Sequence, residues 1–336
     1  MMIQVHDLVK EFKVHERKQG FFSTLRNLID HDYKMIRAVN GIDFAIKKGE
    51  MVGFIGPNGA GKSTTVKMLC GILTPTSGEV KINGLNPSKN RKKVARNIGV
   101  VFGQKTQLLW DLPVIESFDL MKDIYDIPKE KYQKNFQLLS DLLNLNEFIN
   151  RPVRQLSLGQ RMKADICASL LHDPEIIYFD EPTIGLDVIA KENIRLFIKQ
   201  LNKEKGTTVL FTTHDMDDIE KTCNRLIIID RGKIIYNGNL TDIRRIFTPE
   251  KLITVEFDKY IESIAAVEDI KIFDGPENKK TFKVADDPNK IKQTVNFLFE
   301  NYNIKDILIS EVEIEDVIRK IYQENARVAI PELRVS

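Results

Sequence analysis

The chain is poor in several features that would each mark a particular kind of protein. Of its 336 residues only three are cysteine, and Cys70, Cys167 and Cys223 stand far apart without C-x-x-C spacing. That pattern argues against a zinc site and against a disulfide framework, and it fits a reducing compartment. Charge of neither sign dominates: 50 Lys+Arg against 48 Asp+Glu leave a formal net charge of +2, so bulk electrostatics give no case for a nucleic-acid footprint or a membrane-coating surface. Long apolar runs are missing too. No uncharged apolar stretch reaches the roughly 18 residues of a membrane span, and the opening MMIQVHDLVKEF carries Asp7 and Glu11 where a signal peptide would be uninterrupted. The expectation is a chain that, if it works at a membrane, relies on other chains to cross it. Its length is about twice that of a common domain, which predicts two.

What is present is concentrated in a few short segments. GPNGAGKST comprises Gly56, Pro57, Asn58, Gly59, Ala60, Gly61, Lys62, Ser63 and Thr64, after the apolar run MVGFI and before the helix-compatible TTVKML. The spacing G-x-x-x-x-G-K-S between a strand and a helix is that of a phosphate-binding P-loop. Glycines allow successive backbone N–H groups to point inward around phosphate oxygens, and the helix that follows offers its positive end. Lys62 would reach the β and γ phosphates and Ser63 would put its hydroxyl on Mg²⁺, so the segment predicts nucleoside triphosphate binding.

Further on, IIYFDEP reads as a buried parallel strand ending in Asp180 and Glu181. Strands of such sheets deliver ligand groups at their carboxyl ends. Asp180 is then placed to hold the Mg²⁺ shell and Glu181 to act as general base on an attacking water.

Between these two segments, RQLSLGQRMKADICASLL has Ser157 at a helix start, with Gly159 and Gln160 behind it and apolar residues at near-helical spacing. Leu156 to Gln160, LSLGQ, resembles the LSGGQ signature of ABC-type ATPases. With the P-loop and the DE strand in the same order, the chain resembles an ATP-binding subunit of an ABC transporter. The resemblance implies an α/β P-loop cassette with a helical subdomain, ATP and Mg²⁺ as ligands, and ATP hydrolysis. It also implies roles for other residues: Gln104 in VVFGQKTQ as the Q-loop glutamine that senses Mg²⁺ and the attacking water, Asp187 in IGLD as the D-loop aspartate, and His214 in TTHD as the switch histidine at the γ phosphate. Phe12 in LVKEF stands where the family has an aromatic, usually Tyr, stacked on adenine; a core Phe is the other reading. Leu158 departs from the usual central glycine.

In that family two cassettes face each other head to tail, so that Ser157, Gly159 and Gln160 of one chain would meet the γ phosphate held by the P-loop of the other. The partner would be a second copy or a second ATPase subunit. The closest likeness is to ATPase subunits of ABC-2-type exporters, which implies separate transmembrane permease subunits, a peripheral position on the cytoplasmic face of the cell membrane and no nucleic-acid partner. The alternative is a soluble ABC-type ATPase acting on nucleic acid or ribosomes. Against it, Lys62 and Ser157 leave no room for the long coiled-coil arm of the DNA-repair branch, and the chain has one signature where the translation branch generally has two.

The expected domains are residues 1–245, the ATPase cassette, with an insertion at about 16–37 and a helical subdomain at about 105–172, and residues 250–336, a small α+β accessory domain. The insertion carries Phe21, Leu25, Leu28 and Ile29 on one helical face, suited either to packing on the sheet edge or to a membrane or permease surface. Trp110, Leu112 and Pro113, just after the Q-loop, are candidate permease contacts or core. In the second domain, strands are expected at 253–257, 281–284 and 307–309 and a helix at 289–300.

Overall fold

Two strands of unusual length begin the chain: Ile3–His15 (β1) and Tyr33–Ile46 (β2), antiparallel, with Ile3 opposite Ile46 and Phe12 opposite Ile36. The computed structural model describes residues 1–15, 33–103, 105–262, 264, 270–275 and 278–329. The expected insertion helix at Phe21 to Ile29 lies outside the described residues. At the other end of that segment, Tyr33 to Ile36 belong to β2, so the strand pair extends past the sheet-like start expected at Arg37. The chain divides into two compact units, Met1–Gly238 and Asn239–Ser336.

In the first unit β1 also pairs with Ser77–Ile82 (β4), forming a three-stranded sheet of order β2-β1-β4. The second sheet holds Met51–Ile55 (β3), Ile98–Phe102 (β5), Ile176–Asp180 (β6), Thr208–Thr212 (β7), Arg225–Asp230 (β8) and Lys233–Asn239 (β9). Its order is β5-β6-β7-β3-β8-β9, and the pairs β5–β6, β6–β7, β7–β3 and β3–β8 are parallel. Every residue of β3 and β7 is buried, which explains why these strands read as continuous apolar runs instead of alternating ones. Val5, Leu8, Ile42 and Phe44 of the small sheet share one core with Phe54, Tyr178, Leu210 and Ile227 of the large one. Burial of these side chains stabilises by about 1.5–3 kcal/mol each.

Between β5 and β6 lies the expected helical region. Helices Val114–Ile124 and Lys129–Leu143 both follow prolines, Pro113 and Pro128, which hold the extended backbone of a helix entry. Val114, Phe118, Leu139 and Leu143 are among their buried positions. The third helix, Leu158–Leu170, buries Met162, Ile166, Cys167 and Leu170.

The second unit is an antiparallel sheet of order β11-β12-β10-β13, built from Glu250–Phe257 (β10), Lys271–Asp274 (β11), Lys279–Ala285 (β12) and Ile304–Glu311 (β13). Alternation puts Ile253, Val255, Phe257, Phe282 and Val284 on one face, covered by Leu298 of helix Pro288–Asn301. Helix Leu240–Phe247 packs on helix Ile314–Ala329 within this unit. The first of these lies largely inside the cassette as bounded from the sequence, which took the Pro-marked segment after Phe247 as the junction and not Asn237-Gly238 ahead of the helix. The short β11 also carried no periodic signal.

Candidate active site

The carboxyl ends of β3, β6 and β7 open onto a cleft of about 880 Å³. Gly56, Pro57, Asn58, Gly59, Gly61, Lys62, Ser63 and Thr64 line it from one side; Asp180, Glu181 and His214 line it from the other. Ala60 of the same loop is instead buried, and its carbonyl accepts from Gly232 N–H at 3.0 Å. Gly61 stands at the start of helix Lys62–Leu69 with φ of 109°, where a side chain would meet the Ala38 carbonyl oxygen at 2.5 Å. Only glycine fits that turn, and the turn aims the helix N-terminus into the cleft.

Lys62 is 7% exposed, and its Nζ donates to the carbonyl oxygens of Gly56 at 2.6 Å and Pro57 at 3.2 Å. Burial lowers the pKa of its ammonium, opposed by the nearby Glu181 and Asp180 charges. A buried cation held by two carbonyls is a receptor for anionic oxygen. Beside it, Ser63 Oγ lies 3.4 Å from Asp180 Oδ1, which also accepts from Thr212 Oγ1 at 2.6 Å. Mg²⁺ in nucleotide sites takes one or two protein oxygens and completes its octahedron with phosphate and water. Ser63 and Asp180 form such a pair, so the residues fit the ion.

Glu181 leaves β6 in a left-handed conformation, φ 57°, and its N–H donates to Thr212 O at 2.9 Å. A Cβ at Gly103 would come within 1.9 Å of the Glu181 carbonyl oxygen. Glycine ahead of the Q-loop thus lets the two turns touch. His214 Nδ1 is 3.6 Å from Glu181 Oε1, within charge range and too long for a hydrogen bond. Gln104 lies outside the described residues; its neighbours Gly103 and Lys105 line the cleft.

Other expected residues are placed elsewhere in the unit. Ser157 caps helix Leu158–Leu170 in a reciprocal box, its Oγ accepting from Gln160 N at 3.2 Å and its N–H donating to Gln160 Oε1 at 3.1 Å. Asp187 caps helix Val188–Lys205, accepting from Ala190 N at 2.8 Å. A Cβ at Gly159 would lie 3.5 Å from Ala190 Cβ, and Leu158 Cδ2 is 3.0 Å from where a Cβ of Gly185 would stand. Leu158 therefore packs against the D-loop turn, in the space that a missing side chain at Gly185 leaves. None of Ser157, Gly159, Gln160 and Asp187 lines the P-loop cleft. Nor does Phe12, which is half-buried with the Lys10 ammonium 5.2 Å from its ring centroid.

One buried carboxylate passed unnoticed in the sequence. Asp165 is 4% exposed on the signature helix and accepts from Thr106 Oγ1 and Gln107 N–H, both at 3.0 Å, tying that helix to the segment after the Q-loop. An aspartate inside the apolar face of MKADICASLL is the signal that could have found it. Burial pushes its pKa up from 3.8 to about 6, with the Gln107 and Thr106 hydrogen bonds opposing. A carboxyl raised in the folded state binds more protons there than in the unfolded chain between these two values, so its charge costs stability as pH rises from about 4 to about 6. Asp165→Asn is expected to leave stability at pH 4 nearly unchanged and to raise it at pH 8 by on the order of 1–3 kcal/mol. Urea unfolding at the two pH values checks this; a variant less stable at pH 8 than at pH 4, relative to wild type, contradicts it.

A parallel sheet delivering a glycine loop, a buried lysine and two strand-end carboxylates to one cleft defines a P-loop nucleoside triphosphatase. Residues 39–184 match the family model described as ABC transporter. The chain is 34% identical over 232 residues to the ABC transporter ATP-binding protein NatA of Bacillus subtilis, covering 69% of this chain and 94% of that one. It is 36% identical over 205 residues to the linearmycin resistance ATP-binding protein LnrL of the same organism, covering 61% and 65%. It is also 34% identical over 251 residues to the methionine import ATP-binding protein MetN 2 of Enterococcus faecalis, covering 73% and 72%. Among solved structures, the dimeric post-hydrolysis state of the ATP-binding cassette MJ0796 bound to ADP and Pi superposes with a TM-score of 0.59 at 29% identity, covering 71% of this chain and 99% of that one. The chain belongs to the ABC transporter ATP-binding proteins. It is an ATP-binding subunit and an ATPase.

Proposed function

We propose that this chain powers export through separate ABC-2-type permease subunits, from the cytoplasmic face of the membrane, by ATP-driven closure of two cassettes head to tail. The observation that carries the reading is the position of the signature. Ser157 and Gly159 head a helix whose N-terminus is outside the P-loop cleft of its own chain, which supports a second cassette bringing it to the γ phosphate. Trp110 and Leu112, 48% and 45% exposed, offer the permease an apolar contact, and no helix among the described residues is long and apolar enough to cross a membrane. The name of LnrL supports export, and the name of MetN 2 supports import as the rival reading.

The steps follow from the residues in the cleft. Lys62 and the P-loop N–H groups bind the β and γ phosphates, while Ser63 and Asp180 would hold Mg²⁺, which would neutralise phosphate charge. Glu181 takes a proton from water as the water oxygen bonds to the γ phosphorus and the bond to the bridging oxygen breaks, leaving ADP. His214 donates to the γ phosphate, and the partner copy's signature helix completes the shell; Gln104, which lies outside the described residues, keeps the role that the family resemblance implies. Loss of the γ phosphate removes the bridge and the dimer reopens.

The chain purified with its native membrane partners, reconstituted into vesicles, tests the reading. Movement of candidate compounds from the ATPase side outward, dependent on Mg-ATP, is the expected result. Movement toward the ATPase side supports import, and stimulation of hydrolysis by RNA or DNA beyond that by the membrane partner defeats both.

A further inference from the structure

Behind the cleft lies a carboxylate that the mechanism above does not use. Asp218, on helix Met216–Thr222, has no exposed surface, and Arg195, on helix Val188–Lys205, is 5% exposed. Arg195 Nε donates to Asp218 Oδ1 at 2.6 Å. The other oxygen, Oδ2, accepts two hydroxyls from two different turns: Thr213 Oγ1 at 3.2 Å and Thr183 Oγ1. Both threonines are buried, at 2% exposure. Thr213 Oγ1 accepts in turn from Asp215 N–H at 3.0 Å, and the Asp215 carboxylate accepts from Lys191 Nζ at 2.6 Å.

The positions of these groups along the chain give the network its meaning. The sheet fixes Asp180 opposite Thr212, and Glu181 and His214 lie one and two residues beyond it, where the bond from Glu181 N–H to Thr212 O holds the first residue of one turn and leaves the rest of both turns to side chains. Thr183 follows Glu181 by two residues, and Thr213 immediately precedes His214. Arg195 lies about two helical turns from the Asp187 cap. A single carboxylate thus joins the turn of Glu181, the turn of His214 and the helix headed by the D-loop aspartate. A buried ion pair is a weak source of net stability, and an apolar pair of like volume often serves as well or better. What an apolar pair cannot do is hold two hydroxyls of separate turns on one oxygen.

We propose that Asp218, backed by Arg195, is a positioning residue for ATP hydrolysis, fixing the Glu181 and His214 turns against the D-loop helix through Thr183 and Thr213. The inference rests on the roles given to Glu181 and His214 in the proposed function. A displacement of about 1 Å at reacting groups can cost a hundredfold in rate.

Asp218→Asn takes from the buried Arg195 its nearest carboxylate and leaves it only the longer pairs to Glu192, Asp215 and Asp217, at 3.5, 3.9 and 4.0 Å, so the variant can fail to fold and the decisive variants are neutral ones. Steady-state hydrolysis by the full chain is measured for Thr183→Val, Thr213→Val and Thr213→Ser, at temperatures well below each Tm, with Glu181→Gln in parallel. The two valine variants are expected to lose about tenfold or more in kcat with the KM for Mg-ATP within about twofold of wild type, and Thr213→Ser is expected to recover to within about threefold. Wild-type kcat in both valine variants, or equal loss in Thr213→Ser and Thr213→Val, overturns the inference. If Glu181→Gln is inactive while the valine variants are not, only the positioning role fails. If Glu181→Gln hydrolyses at the wild-type rate, the catalytic assignment fails and the inference with it.

Discussion

Glu181→Gln is expected to lower kcat for ATP hydrolysis by about 10²–10⁴-fold while Mg-ATP binding persists and the chain accumulates as a nucleotide-locked dimer. The substitution changes little besides the proton acceptor. Gln has nearly the shape of Glu, and the backbone that places the side chain is held independently by the bond from Glu181 N–H to Thr212 O and by the close approach to Gly103. The left-handed φ of 57° strains Gln as much as Glu, so folding is not the variable. What disappears is an anion that can accept the water's proton, and its attraction for the Lys62 ammonium goes with it. Binding continues because the phosphates themselves supply Lys62 with negative charge. In the proposed mechanism closure depends on the γ phosphate and its loss reopens the interface, so the dimer is expected to accumulate: a ligand shifts an equilibrium by its differential affinity for the two states, and here that ligand is not consumed. Light scattering with Mg-ATP and single-turnover hydrolysis are the measurements. A variant that stays monomeric, or that retains a tenth of wild-type kcat, removes Glu181 from the role of base.

The cleft was legible in the sequence because each of its parts is local. GPNGAGKST is a turn whose conformation its own glycines dictate, and IIYFDEP is a strand whose end lies one residue past its last buried position. Local segments carry their chemistry in order along the chain, and parallel strands bring their carboxyl ends together by topology alone. The signature was legible for the same reason, since S-x-x-Q announces the capping box that the structure contains. Thr183, Thr213, Arg195 and Asp218 were not legible. Nothing in the spacing of one threonine after EP and another before His214 says that both hydroxyls reach one carboxylate, because that meeting depends on how two turns and two helices pack. Asp165 belongs to the same class, a polar side chain inside an apolar stripe whose partners Thr106 and Gln107 come from another element. In the second unit the alternation of β10 and β12 was clear, whereas β11 was too short for a period to show.

Lys62→Met is expected to abolish nucleotide binding while leaving the nucleotide-free protein about as stable as wild type. The lysine stem is buried and the thioether chain of Met can follow the same path, so packing is largely kept. Two opposing effects then act on the free protein. The carbonyls of Gly56 and Pro57 lose a donor, which destabilises, and a desolvated ammonium is removed, which stabilises. They offset each other to within about 1–2 kcal/mol. The bound state has no such compensation. Charge-assisted contacts to the β and γ phosphates contribute about 1.5–3 kcal/mol each, so losing both weakens Mg-ATP binding by about two to four orders of magnitude. At a concentration that is a hundred times the wild-type Kd, nucleotide stabilises the native protein by about 2.7 kcal/mol; in the variant that stabilisation falls almost to zero. Thermal unfolding with and without Mg-ATP separates the two terms in one experiment. An unchanged Tm shift on adding Mg-ATP would mean that Lys62 is bound to its own loop in the liganded state as well, and that the phosphates are held by the glycine N–H groups alone.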